Sequence, residues 1–212
     1  MRTGYYLYGW DMNNTVEENT IDVWDHVLDR ESANNLSEMM KVIWWQHGHL
    51  SRGDIFNPFF HLDCGQTVQD VERSPYKDYV LPLWNTIIEK GIAKKYGIKR
   101  FRRVYMNAHT HGVEPNIHKD DGDFTMIYYP RMDWEIQWGG GTTVYTEDTT
   151  IGSTDPSADV DRHVAYRGNR LLVFDAYLPH QAMPVARECH HLRSIIVFKC
   201  FLRNGDESPN KI

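Results

Sequence analysis

The spacing of apolar residues changes character near residue 98. Before it, apolar positions recur at helical intervals, and after it short apolar runs alternate with turns. Residues 20–30 and 32–46 carry helical patterns, with Ser32 or Asn34 as the N-cap of the second. Residues 79–96 hold a third, with Val80, Leu83, Ile87 and Ile88 on one side. Pro82 is tolerable only in its first turn, and Gly97 ends it. Residues 4–10, rich in Tyr and Leu, read as a strand, while 50–75 are mixed and turn-rich. Eight candidate strands follow, at 101–108, 114–120, 124–129, 142–146, 162–167, 170–174, 181–186 and 192–202. Helices first and strands afterwards predict an α+β chain rather than alternating βαβ units. The expectation is a jelly roll (a double-stranded β-helix) with N-terminal supporting helices. Residues 1–212 then form a single domain, with 1–97 mainly helical support and 98–203 the jelly-roll core.

Composition narrows the classes of partner. A net charge of −6 lacks the basic footprint of a general nucleic-acid binder. Three cysteines, Cys64, Cys189 and Cys200, are odd in number and without metal-site spacing, so a reducing compartment is the default. The N-terminus is too polar for a signal peptide, and no apolar stretch approaches the length that spans a bilayer. A soluble, cytoplasmic protein binding neither nucleic acid nor membrane is expected.

The chemistry concentrates in His118-Lys119-Asp120 and Leu178-Pro179-His180, followed by Arg193. On an extended strand, side chains at i and i+2 point the same way, so His118 and Asp120 can reach one metal together. His180 follows a short apolar run, Leu171 to Phe174, of the kind that forms a buried strand. Two imidazoles and one carboxylate on one face of a metal leave the other face open, the ligand set of non-haem Fe(II) oxygenases. His61-Leu62-Asp63 has the same spacing, but Pro58 and Gly65 punctuate its segment and no Arg follows the next histidines closely. His47, His49, His109, His111, His190 and His191 read as surface or hydrogen-bonded histidines. A cation in the apolar run of residues 192–202 needs an anionic partner, which singles out Arg193.

The chain resembles the Fe(II)/2-oxoglutarate-dependent dioxygenases, and within them the prolyl-hydroxylase-like group. The resemblance covers roughly residues 98–203. It rests on Thr125 to Trp134, on Trp138-Gly139-Gly140-Gly141 running to Tyr145, and on Gly168 to Phe174 leading into Leu178-Pro179-His180. It implies His118, Asp120 and His180 as ligands of Fe(II), and 2-oxoglutarate and O2 as co-substrates, with ascorbate as an auxiliary reductant. It also implies that Arg193 grips the far carboxylate of 2-oxoglutarate, with Tyr105 and Tyr129 hydrogen-bonding the same molecule. Period two places Arg193 with Ile195 and Val197, and Tyr129 with Ile127 and Thr125. If these faces line the interior, guanidinium, phenol and metal ligands converge.

Three functions fit. One is a hydroxylase acting on prolyl or other peptidyl side chains, as the resemblance implies. Another is the same chemistry on a small metabolite or sugar. The third is a non-catalytic jelly-roll metal-binding protein or a cupin-like enzyme, which has no need of Arg193. Residues 147–161 are polar and form either a lid or a surface loop, with the ends favoured as rim.

Overall fold

Residue by residue alternation sorts most of this chain onto two faces of one large sheet. The computed structural model describes residues 19–50, 58–151 and 160–202. The first half contains β1 (Ile21–Asp25), α1 (Arg30–Val42), β2 (Gln46–His49) and β3 (Phe59–Gly65). Next come α2 (Val68–Arg73), α3 (Lys77–Glu89) and α4 (Ile92–Lys95). The second half supplies β4 (Arg100–His109), β5 (Phe124–Tyr129), β6 (Thr142–Tyr145), β7 (Val160–Val164), β8 (Arg170–Asp175), β9 (His180–Ala182) and β10 (Arg193–Phe201). Among the described residues these strands form a seven-stranded sheet, ordered β1-β8-β5-β10-β4-β3-β2, and a three-stranded sheet, β7-β6-β9. All pairings within them are antiparallel. This is the expected jelly roll.

One face of the large sheet, with Val104, Met106, Met126, Ile196 and Phe198, packs on helical residues Leu36, Met40, Val80, Leu83 and Ile87. The other face turns Ile127, Leu172, Phe174, Ile195 and Val197 toward Val144 and Val164 of the small sheet. Because β10 is covered on both faces, it reads as a nearly continuous apolar run.

Several expectations change. Residues 20–30 are not a helix: Ile21 to Asp25 pair with β8 as an edge strand, and His26 at φ 57° turns the chain into α1. Ile21 and Val23 join the layer between the sheets, a packing gain that overrides the weak helical pattern. The second helix begins earlier, at Arg30, because Asp29 caps it by accepting from the Ser32 backbone N–H at 2.9 Å. The third is split at Gly91, φ 70°, into α3 and α4, and Pro82 sits beyond the first turn of α3. The stretch 50–75 contains β3, so His61 and Asp63 do lie on a strand. Among the described residues, the half before residue 98 supplies β1, β2 and β3 to the large sheet besides its four helices. Residues 114–120 form no strand, only a bridge between His118 and His180. The strand expected at 4–10 and the middle of 147–161 lie outside the described residues.

Candidate metal centre

The two histidines meet because their backbones do. His118 N–H donates to the His180 carbonyl at 3.0 Å, and His180 N–H to the His118 carbonyl at 2.9 Å. Such a reciprocal antiparallel pair sets the two side chains next to each other. Their rings lie 4.4 Å apart, and Phe174 packs edge-on against His180 at 4.7 Å. Asp120 is fixed one alternation on, its backbone N–H donating to Ala176 O at 2.9 Å. One ligand atom from each of His118, Asp120 and His180 lies within 4.8 Å of the others.

The tautomers follow from the partners. His118 Nδ1 faces the carbonyl of Asn116 at 3.0 Å, and His180 Nδ1 that of Leu178 at 3.0 Å. A carbonyl only accepts, so Nδ1 carries a proton in both rings, and in the neutral ring it is Nε2 that offers a lone pair. Those nitrogens converge on Asp120, at 3.8 Å from Oδ1 for His118 and 3.3 Å from Oδ2 for His180. Burial, with His180 adding to it, pushes His118 down to about 4. At neutral pH it is the neutral ligand form. Burial alone would raise the Asp120 carboxyl, but His180 and Lys199 outweigh it and hold the group well below its usual range. The donor set therefore fits a divalent ion.

Asp120 has two further neighbours. Thr125 Oγ1 donates to Oδ2 at 2.7 Å, and Lys199 Nζ contacts the same oxygen. Lys199 is only 3% exposed. Burial alone would lower the ammonium, but Tyr105 and Asp120 keep it above its ordinary value. With Oδ2 so engaged, Oδ1 is the oxygen left for a metal.

Beside these ligands a cavity opens between the sheets, lined by Tyr105, Asn107, His109, Thr142 and Arg193 among others. Arg193 is 1% exposed. Its guanidinium donates to the carbonyls of Gly140 and Gly141, the latter at 3.2 Å, and faces no carboxylate partner among the described residues. The opened turn makes this contact: at Gly140, φ 72°, a Cβ would sit 3.3 Å from the Arg193 side chain. Trp134 Nε1 donates to Gly139 O at 3.0 Å and packs edge-on against Trp138, so both serve the turn.

Of the two tyrosines expected at the co-substrate, only Tyr105 is on the cavity wall. Tyr105 lines the cavity, its hydroxyl pushed up to about 12 by burial. Tyr129 stays behind the wall. Its hydroxyl donates to Thr142 Oγ1 at 2.8 Å, and its ring packs on Tyr166. Thr142 also accepts from Arg193 Nη2 at 3.4 Å, so its own proton is free to point into the cavity. Tyr129 is thus linked to the cavity wall by its hydrogen bond to Thr142.

Thr125 lies on the inward face that period two gave it, whereas Lys199, His109 and Thr142 carried no expectation of a place in the site. For Lys199 and His109 the signal existed: period two from Arg193 arrives at Lys199, and from Tyr105 at His109. Nothing local marked Thr142.

Residues 96–199 match the family model described as the 2OG-Fe(II) oxygenase superfamily. No curated protein matches the chain in sequence. Among solved structures it is similar to a Trichoplax adhaerens prolyl hydroxylase in complex with a hypoxia inducible factor oxygen degradation domain peptide fragment. The identity is 16% and the TM-score 0.56, covering 85% of this chain and 83% of that one. A Pseudomonas putida prolyl-4-hydroxylase gives 12% and 0.57, covering 85% and 92%. HygX from Streptomyces hygroscopicus, solved with nickel and 2-oxoglutarate bound, gives 10% and 0.55, covering 84% and 81%. At such identities the likeness is one of fold.

Proposed function

We propose that this chain, which belongs over residues 96–199 to the 2OG-Fe(II) oxygenase superfamily, hydroxylates an unactivated C–H bond of a prolyl or other peptidyl side chain. It is a dioxygenase of the Fe(II)- and 2-oxoglutarate-dependent kind. When bound, the iron and 2-oxoglutarate would supply reduction of O2, one oxygen atom entering succinate as 2-oxoglutarate loses CO2 and the other entering the substrate C–H bond. We assign His118, Asp120 and His180 to the iron. Their Nε2 lone pairs and the free Oδ1 are oriented in advance by the Asn116 and Leu178 carbonyls, Thr125 and Lys199.

The observation that carries this reading is Arg193. A guanidinium buried between two sheets, without a carboxylate partner among the described residues, calls for an anion from outside the chain. Arg193 binds the far carboxylate of 2-oxoglutarate with the Thr142 hydroxyl beside it, a planar pairing that Lys cannot reproduce.

A peptidyl substrate is supported by the ground next to the cavity. From Tyr105 the wall continues to His61, ring centroids 5.4 Å apart, and His49 stacks on His61 at 4.0 Å. Every residue of β2, the sheet edge beyond, is exposed. An open strip of rings along an edge strand suits an extended chain better than an enclosed metabolite. Two neighbours of similar fold are prolyl hydroxylases, which agrees with this choice. No helix among the described residues is long and apolar enough to cross a membrane. The three cysteines are free and buried, which favours a reducing compartment such as the cytoplasm.

Succinate release from 2-oxoglutarate, screened against proline-containing peptides and against metabolites, tests the assignment. Peptide-dependent release, with one oxygen gained by the peptide, is expected. Stimulation by metabolites alone would move the substrate class to small molecules.

A further inference from the structure

We propose that His109 is a second anchor for the far carboxylate of 2-oxoglutarate, and that it takes up one proton as the co-substrate binds. This rests on the co-substrate reading above. His109 closes β4 as Arg193 opens β10, and the two are direct partners in the antiparallel register. Side chains so paired stand next to each other on one face, and both line the cavity. His109 is 4% exposed, yet its Nε2 has no hydrogen-bond partner among the described residues. A buried polar atom left unpaired on a cavity wall asks for a ligand.

The other ring nitrogen fixes the chemistry. The His109 ring bonds the backbone of Met183, whose N–H is already donated to Gly141 O. The bond therefore runs from His109 Nδ1–H to the Met183 carbonyl, and in the neutral ring Nε2 carries a lone pair. A lone pair repels a carboxylate, whereas a protonated Nε2 donates to it.

The surroundings decide which form is present. From β10 the charged neighbour is Arg193, followed by apolar Ile195, and β3 presents Phe59 and then His61. Across the cavity stand His118, His180 and Asp120, the last already held by Thr125 and Lys199. Burial and the Arg193 charge both hold the imidazole well below its ordinary value, so it is neutral before anything binds. A carboxylate placed on Arg193 reverses that field and supplies the missing acceptor. Nε2 then takes a proton from solvent, and no covalent bond other than N–H forms or breaks. The carboxylate ends between a guanidinium and an imidazolium.

Calorimetric titration of 2-oxoglutarate into the Mn(II)-loaded protein near neutral pH, in buffers of different ionisation enthalpy, counts protons directly. The slope of observed enthalpy against buffer enthalpy should approach one proton taken up per molecule bound. His109→Gln should abolish the slope and weaken binding about tenfold, the cost of one charge-assisted bond. Tight binding of 2-oxoglutarate with a zero slope in the wild type overturns the proposal and leaves the co-substrate reading standing. A slope retained in His109→Gln also overturns it. Absence of any 2-oxoglutarate binding by metal-loaded wild type overturns both.

Discussion

The two oxygens of Asp120 have different neighbours, and that difference prepares the carboxylate for a metal. Oδ2 is engaged by Thr125 and Lys199, while Oδ1 looks toward His118. Before metal arrives, Lys199 is the counter-charge of a buried carboxylate. Lys199→Met should therefore cost the metal-free protein about 3 kcal/mol in urea unfolding, the penalty of breaking a buried pair from one side. Saturating Zn(II) should shrink that deficit, because the ion takes over as counter-charge. An equal deficit with and without metal would show Lys199 to be only packing. That His118, Asp120 and His180 come together was legible, since i and i+2 spacing and a short run into His180 are local signals. Lys199 was not, because one lysine in an apolar strand looks like tolerance until Arg193 fixes which face is the pocket. Tyr129 was assigned to the correct face but not to its hydrogen bond, which depends on Thr142 of another strand.

Among the elements, α1 is tied to the sheet by charge as well as by Leu36 and Met40. Arg131 is buried, its guanidinium held in a two-bond fork by Asp133 at 2.9 and 3.0 Å, and Lys41 of α1 reaches Asp133 at 3.1 Å. The Arg131 hydrogen bonds, with Lys41 in support, hold the Asp133 carboxyl well below its ordinary range. Asp133 is 38% exposed, so solvent screens part of the gain. Asp133→Asn should cost about 1.5 kcal/mol at neutral pH, between a surface pair and a buried one. A carboxyl depressed in the folded state stabilises above its unfolded value of about 3.9 and ceases to as pH falls through the folded value. The gap between wild type and Asp133→Asn should accordingly narrow in acid, as read from urea midpoints. A gap independent of pH would assign the effect to packing. Long periodic elements such as α1 and α3 were readable from pattern alone. Edge strand β1 was not, for its identity comes from pairing with β8, about 150 residues later in the chain.

For the whole molecule, the seven-stranded sheet is the frame on which both halves of the chain depend. Its helix-facing side holds the larger core, and its other side, with the small sheet, encloses the candidate metal ligands and Arg193. The second half announced this architecture through short strands and turns. The first half concealed its share, since β2 is short and half His, β3 runs between Pro58 and Gly65, and both join the sheet only through β4. The central claim is that one pocket holds both a ferrous ion and 2-oxoglutarate, and it has a direct optical test. Under anaerobic conditions 2-oxoglutarate is titrated into Fe(II)-loaded protein and the weak visible charge-transfer band is followed. Wild type should develop the band to saturation, His180→Ala should lack it, and Arg193→Leu should need about a hundredfold more 2-oxoglutarate. No band in wild type, or an unchanged half-saturation in Arg193→Leu, would contradict it.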